Sequence, residues 1–266
     1  VRLAGLLAGL LLAMPAAAEP VRLAAAGSLR AALAEVAQEF QRSPGGAPVA
    51  ETYGPSGLLR QRIAAGENVE VFASANMEHP AQLGRERGRP TVLFARNRMC
   101  ALARPDLAVT SETLLDRMLD PAVRLGTSTP RADPSGDYAF LLFARADSVR
   151  PGARATLEAK ALLLTGGPDS PRPPPGVDAY AWQFQRDAAD LFLTYCTNAT
   201  LARASNPALR QVAVPPALAV AADYGLVVLS DRPEAARLAF YLLSPEGQAI
   251  LDRHGFAAPT LPTPNP

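Results

Sequence analysis

Short runs of small and apolar residues alternate along this chain with stretches of helical periodicity, and the joints between them limit what it can fold into. The first joint is the clearest. Leu23-Ala24-Ala25-Ala26 reads as a strand that runs into Gly27-Ser28. Leu29, Leu33, Val36 and Phe40 then mark the apolar side of a helix beginning there. Pro48 to Tyr53 reads as a second strand, Gly54-Pro55-Ser56-Gly57 as a turn, and Leu58 to Ile63 as a second helix that stops near Gly66. Glu70 to Ala75, Thr91 to Phe94 with the run to Ala103, Val123 to Ser128, Leu191 to Cys196 and Gly225 to Leu229 read as further strands. Helical stretches lie between them. This alternation predicts an α/β architecture with parallel sheets.

The joints share a chemistry. Ser28 stands where an N-cap belongs, yet the position three residues on is Ala31, and the first acid is Glu35. Ser56 repeats the pattern, with no acid before Glu67. Asp133-Pro134-Ser135-Gly136-Asp137-Tyr138 opens a third helix, and Val177 stands at the opening of a fourth. Helix starts of this kind offer hydroxyls, unpaired N–H groups and the positive end of a dipole, which suits an anion. In open α/β sheets such starts gather beyond the carboxyl ends of the strands. Ser28, Ser56, Ser135 and Val177 would together hold an oxyanion by uncharged donors, with no buried counter-charge.

The chain's 266 residues suffice for one large or two medium domains. A formal net charge of +1 argues against nucleic acid as a partner. Residues 1–18 read as a cleaved signal peptide: Arg2, the apolar run from Leu3 to Met14, and Ala16-Ala17-Ala18 before Glu19. The run is too short for a membrane anchor. The mature protein is therefore expected in the periplasm. In that oxidising space Cys100 and Cys196 are expected to form a disulfide, the alternative being two buried free thiols. Residues 165–176, rich in proline and glycine, read as a stiff extended loop.

At these positions the sequence resembles the periplasmic molybdate-binding proteins of ABC transporters. Ala26-Gly27-Ser28-Leu29 is similar to the family's first oxyanion loop, Pro55-Ser56-Gly57-Leu58-Leu59-Arg60-Gln61 to its second, and Asp133 to Ala139 to its third. Val177 matches the fourth, a backbone donor, by its place at a helix start. Tyr195 matches the tyrosine whose hydroxyl reaches the ligand. Pro245 to Ile250 with His254-Gly255-Phe256 is similar to the family's C-terminal helix and its exit. The resemblance covers most of the mature chain. It implies a two-lobed type II periplasmic binding protein fold, each lobe a mixed, mostly parallel sheet flanked by helices, with the ligand cleft between the lobes. Lobe I would take residues 19–97 and 213–260, lobe II residues 98–212, and 261–266 would be a tail. It further implies a monomer without cofactor that binds molybdate or tungstate and delivers it to the membrane permease of an ABC importer. Sulfate or another small anion is the alternative ligand.

Asp137 departs from the family's pattern, standing where an apolar residue is usual, and Asp133 lies close by. Either could ligate the metal of the oxyanion directly; the alternative is that both face solvent or cap the turn. An enzyme is the competing class. A periplasmic serine hydrolase would pair Ser28 or Ser56 with a histidine, and only His79 and His254 exist. Gly54-Pro55-Ser56-Gly57 also lacks the spacing of a nucleophile elbow.

Overall fold

A computed structural model of the chain describes residues 19–259. The leader read at 1–18 and the tail read at 261–266 lie outside the described residues. Lobe I begins with β1 (Val21–Ala26), which pairs in parallel with β2 (Val49–Gly54) on one side and β3 (Val71–Ser74) on the other. The period of two along β1 sorts its side chains. Val21, Leu23 and Ala25 pack under α1 (Arg30–Arg42), while Ala24 turns to the opposite face with Phe72. That second face is covered by α2 (Ser56–Ala64) and α3 (Glu78–Arg87) through Leu59, Ile63 and Leu83.

A long strand, β4 (Thr91–Ala103), leaves lobe I and enters lobe II. Thr91 to Arg98 pair antiparallel with β9 (Ala221–Val228), which itself lies antiparallel to β3. From Met99 onward β4 pairs instead with β7 (Leu191–Tyr195) and, on its other side, with β8 (Arg210–Ala213). The change of partner falls between Arg98 and Met99. The return crossing lies between Ala213 and Ala221. In lobe II, β5 (Leu125–Ser128) pairs in parallel with β7 and with β6 (Leu162–Thr165). Among the described residues the nine strands form one path, β2-β1-β3-β9-β4-β7-β5-β6, with β8 beside β4. Each lobe thus has a parallel core, and the crossing between lobes is antiparallel.

In lobe II, α4 (Leu114–Leu119), α5 (Pro134–Val149) and α6 (Ala153–Lys160) contribute Leu114, Leu142, Phe143 and Leu157 to the main core. On the opposite face α7 (Ala179–Gln185) and α8 (Cys196–Ser205) enclose Phe192 and Leu102. The last two helices among the described residues, α9 (Pro233–Leu243) and α10 (Pro245–Arg253), lie back on lobe I beside α1. Cys100 on β4 and Cys196 at the start of α8 are joined by a disulfide.

Candidate functional site

The walls of one interlobe cleft come from the ends of β1 and β2 on lobe I and from the starts of α5 and α7 on lobe II. The cavity measures about 440 Å3. Two polar contacts span the lobes at its edge: Gly57 N donates to Ala132 O at 2.9 Å, and Tyr195 OH lies 3.5 Å from Ala75 O.

On the lobe I wall, Ser28 sits in a tight turn over Gly27–Leu29 that leads into α1. Small residues, Ala24 to Ala26, bring the chain to this turn, and a Cβ added at Gly27 would meet nothing within 4 Å. Neither the turn nor α1 has an acid in its first turn or a side-chain cap. The Ser28 hydroxyl lies 3.0 Å from the Tyr224 hydroxyl. Ser56 opens α2 and is 1% exposed. Its Oγ accepts from Ala75 N at 3.1 Å, so its own proton is left to donate. This start too has neither cap nor acid. Arg30 adds a cation to the lining, its guanidinium stacked 4.6 Å over the Tyr53 ring.

The lobe II wall is built differently. Tyr195, 1% exposed, presents its hydroxyl to the cleft. Burial pushes that phenol well above its ordinary range, so it stays protonated and able to donate. Val177 lines the cleft, but its N–H donates to Pro174 O at 3.1 Å. Ser135 is fully buried behind the lining, and its N–H is taken by Asp133 Oδ1 at 3.1 Å. Asp133 is the N-cap of α5 and itself lines the cleft. Burial pushes its carboxyl up to about 6, against a backbone bond from Ser135 that pulls the other way. Asp137 lies outside the lining and accepts from Arg131 N at 2.8 Å, holding a residue whose φ is +67°.

The structure therefore brings Ser28, Ser56, Val177, Tyr195 and Asp133 to one cavity and places Ser135 and Asp137 outside its lining. It adds residues that the sequence alone does not single out. Asp178 caps α7 by accepting from Tyr180 N and Ala181 N. Asn198 donates to Tyr180 OH at 2.9 Å and to Thr194 Oγ1 at 3.1 Å. An Asp ahead of a helical stretch is a cap signal, so Asp178 had a local mark. Asn198 lies inside α8 and had none.

Neither serine on the lobe I wall has a histidine partner: His254 bonds Glu35 at 2.8 Å, and His79 is buried on α3. Among the described residues no group of three or more His, Cys, Asp or Glu side chains is placed to hold a metal ion. No helix among them is long and apolar enough to cross a membrane.

Comparison with known proteins adds three findings. A family model described as "Bacterial extracellular solute-binding protein" matches residues 21–257. Uncharacterized protein PM1146 of Pasteurella multocida (strain Pm70) is 37% identical over 249 residues, which cover 89% of this chain and 98% of that protein. Among solved structures, the periplasmic molybdate-binding protein of Azotobacter vinelandii aligns with a TM-score of 0.69 at 18% identity, over 90% of this chain and all of that one (100%). The sulfate-binding protein SubI of Mycobacterium tuberculosis H37Rv aligns with a TM-score of 0.72 at 17% identity, over 90% of this chain and 87% of that one. At these identities the two structures share the fold with this chain, a type II periplasmic binding protein fold of mixed α/β lobes.

Proposed function

We propose that this chain, which belongs to the bacterial extracellular solute-binding protein family, captures a small oxyanion outside the cytoplasm and delivers it to the permease of an ABC importer. The observation that carries the reading is the lobe I wall. Two helix starts with no side-chain cap and no acid, each with a serine hydroxyl, face one cleft. The dipoles of these helix starts favour negative charge there. Arg30 and the protonated Tyr195 add to the donor set. Closure of the lobes on the ligand, through contacts such as Gly57 N to Ala132 O, would be the state the permease recognises.

Molybdate or tungstate is the ligand that the sequence resemblance puts first, with sulfate next. The shared fold does not choose between them, since its two cited members bind different oxyanions by name. Acting as a monomer with no resident cofactor, the protein would discriminate by the size and protonation of the anion. Isothermal titration of ligand-stripped protein with molybdate, tungstate, sulfate and phosphate tests the class. One-to-one binding of any of these, weakened by Ser28→Ala, supports it. Silence from all four overturns it.

A further inference from the structure

Apart from the Tyr195 hydroxyl, which lies 3.5 Å from Ala75 O, the two walls of the cleft differ in the sign of their hydrogen bonding. Lobe I presents donors. On lobe II the donors expected from Ser135 and Val177 are already satisfied within the chain, by Asp133 Oδ1 and Pro174 O. What lobe II presents in their place is the carboxyl of Asp133. Ser135 N and the Ser128 hydroxyl bond this carboxyl, and the charge of Asp137 repels its own. The fold makes room for this acid. Gly166 adopts φ +75°, and a Cβ there would come within 2.5 Å of both Asp133 Cβ and Oδ2.

A carboxylate in an oxyanion cleft has a definite consequence. Molybdate, tungstate and sulfate are fully ionised and bring acceptors only. Against Asp133 they would set acceptor against acceptor and charge against like charge. An oxyanion that carries a proton donor makes a hydrogen bond at the same place. Size points the same way. At roughly 30 Å3 per water, a cavity of about 440 Å3 holds far more than a five-atom anion.

Resting on the oxyanion reading and narrowing it, we propose that the cleft takes an oxyanion that brings its own hydrogen-bond donor. Its oxyanion face lies on Ser28 and Ser56 and its donor on Asp133, which selects it over the fully ionised anions. The P–OH of hydrogen phosphate and a hydroxyl of a phosphate monoester supply the same chemistry, and the cavity volume favours the ester. This reverses the order of ligands drawn from the resemblance.

The test is isothermal titration of the protein and of Asp133→Asn with molybdate, sulfate, inorganic phosphate and glycerol 3-phosphate, at a pH about two units above the carboxyl's titration. Asparagine keeps an oxygen for Ser135 N and replaces an acceptor by an N–H2 donor. Asp133→Ser, which also retains a capping oxygen, serves as the second variant. The expected result is that one phosphate probe binds at least about tenfold more tightly than sulfate or molybdate, and that Asp133→Asn inverts the order. Whether inorganic phosphate or the ester binds more tightly identifies the source. Preference of the unmodified protein for molybdate or sulfate overturns the assignment of Asp133 and leaves the oxyanion reading standing. So does an order of affinities that both variants leave unchanged. No binding of any probe to any of the three proteins overturns the oxyanion reading, and this inference with it.

Discussion

Ser28 and Ser56 each place a hydroxyl at a helix start that has no side-chain cap and no acid. Ser28→Ala and Ser56→Ala should each weaken ligand binding by about 1–3 kcal/mol, the cost of losing a donor to a charged acceptor. Calorimetric affinities check this, and unchanged affinity in both variants removes them from the site. Asp133 makes a second prediction. Its folded carboxyl titrates near 6 against an ordinary 3.8, so the folded protein holds this proton more tightly than the unfolded chain. Ionising it therefore costs stability as pH rises through that window, and the cost is complete above about 6. Asp133→Asn should raise the melting temperature relative to the unmodified protein above that pH, and the gain should disappear near the ordinary carboxylate value. Thermal unfolding followed across pH reads it. At this scale the sequence revealed Ser28 and Ser56 because caps and turns are local. It also pointed to Val177 and Tyr195 by resemblance. It did not reveal that the Val177 and Ser135 N–H groups are already bonded. That depends on how the chain folds back at Pro174 and on the rotamer of Asp133. Tyr180 and Asn198 reach the cleft only through the packing of α7 against α8.

Strands and helices with a clear period were legible; their partners were not. Leu23 to Ala26 announces β1 by composition, but nothing near Gly225 says that β9 inserts antiparallel between β3 and β4. Periodicity fixes which face of a strand is buried and is silent on what lies beside it. α8 begins at the residue after β7 with no intervening turn, so it carries no start signal. α3 contains Pro80 and Gly84, both poor helix formers. The disulfide was legible from the pairing of cysteines in an exported chain, and it ties β4 to α8 just past the lobe crossing. Its cysteines are 96 residues apart, so the loop-entropy account assigns it about 4–5 kcal/mol. Cys100→Ala with Cys196→Ala should lower unfolding free energy by up to that amount. Urea unfolding curves of the two forms measure it, and equal midpoints would show that the bond contributes nothing.

The two lobes meet closely at Gly57. A Cβ there would come within 2.1 Å of Arg131 O and 2.8 Å of Ala132 O, both backbone atoms on the facing lobe. Gly57→Ala should therefore hold the lobes apart while leaving the lobe I wall intact. Overpacking of this kind costs about 1–3 kcal/mol, and here the cost falls on the closed form. The expected outcome is a larger radius of gyration in solution scattering with ligand present, together with an affinity reduced about tenfold. A variant that closes and binds normally would contradict it. The same topology has a consequence for timing. β9 sits in the middle of lobe I, yet it is the last strand among the described residues, ending at Val228, and α9 and α10 follow it. A ribosome making this protein must finish all of lobe II before it supplies the strand that completes lobe I. Such long-range pairing forms slowly. For most of its synthesis the chain has no finished first lobe, and a chain in that condition can still be threaded across a membrane.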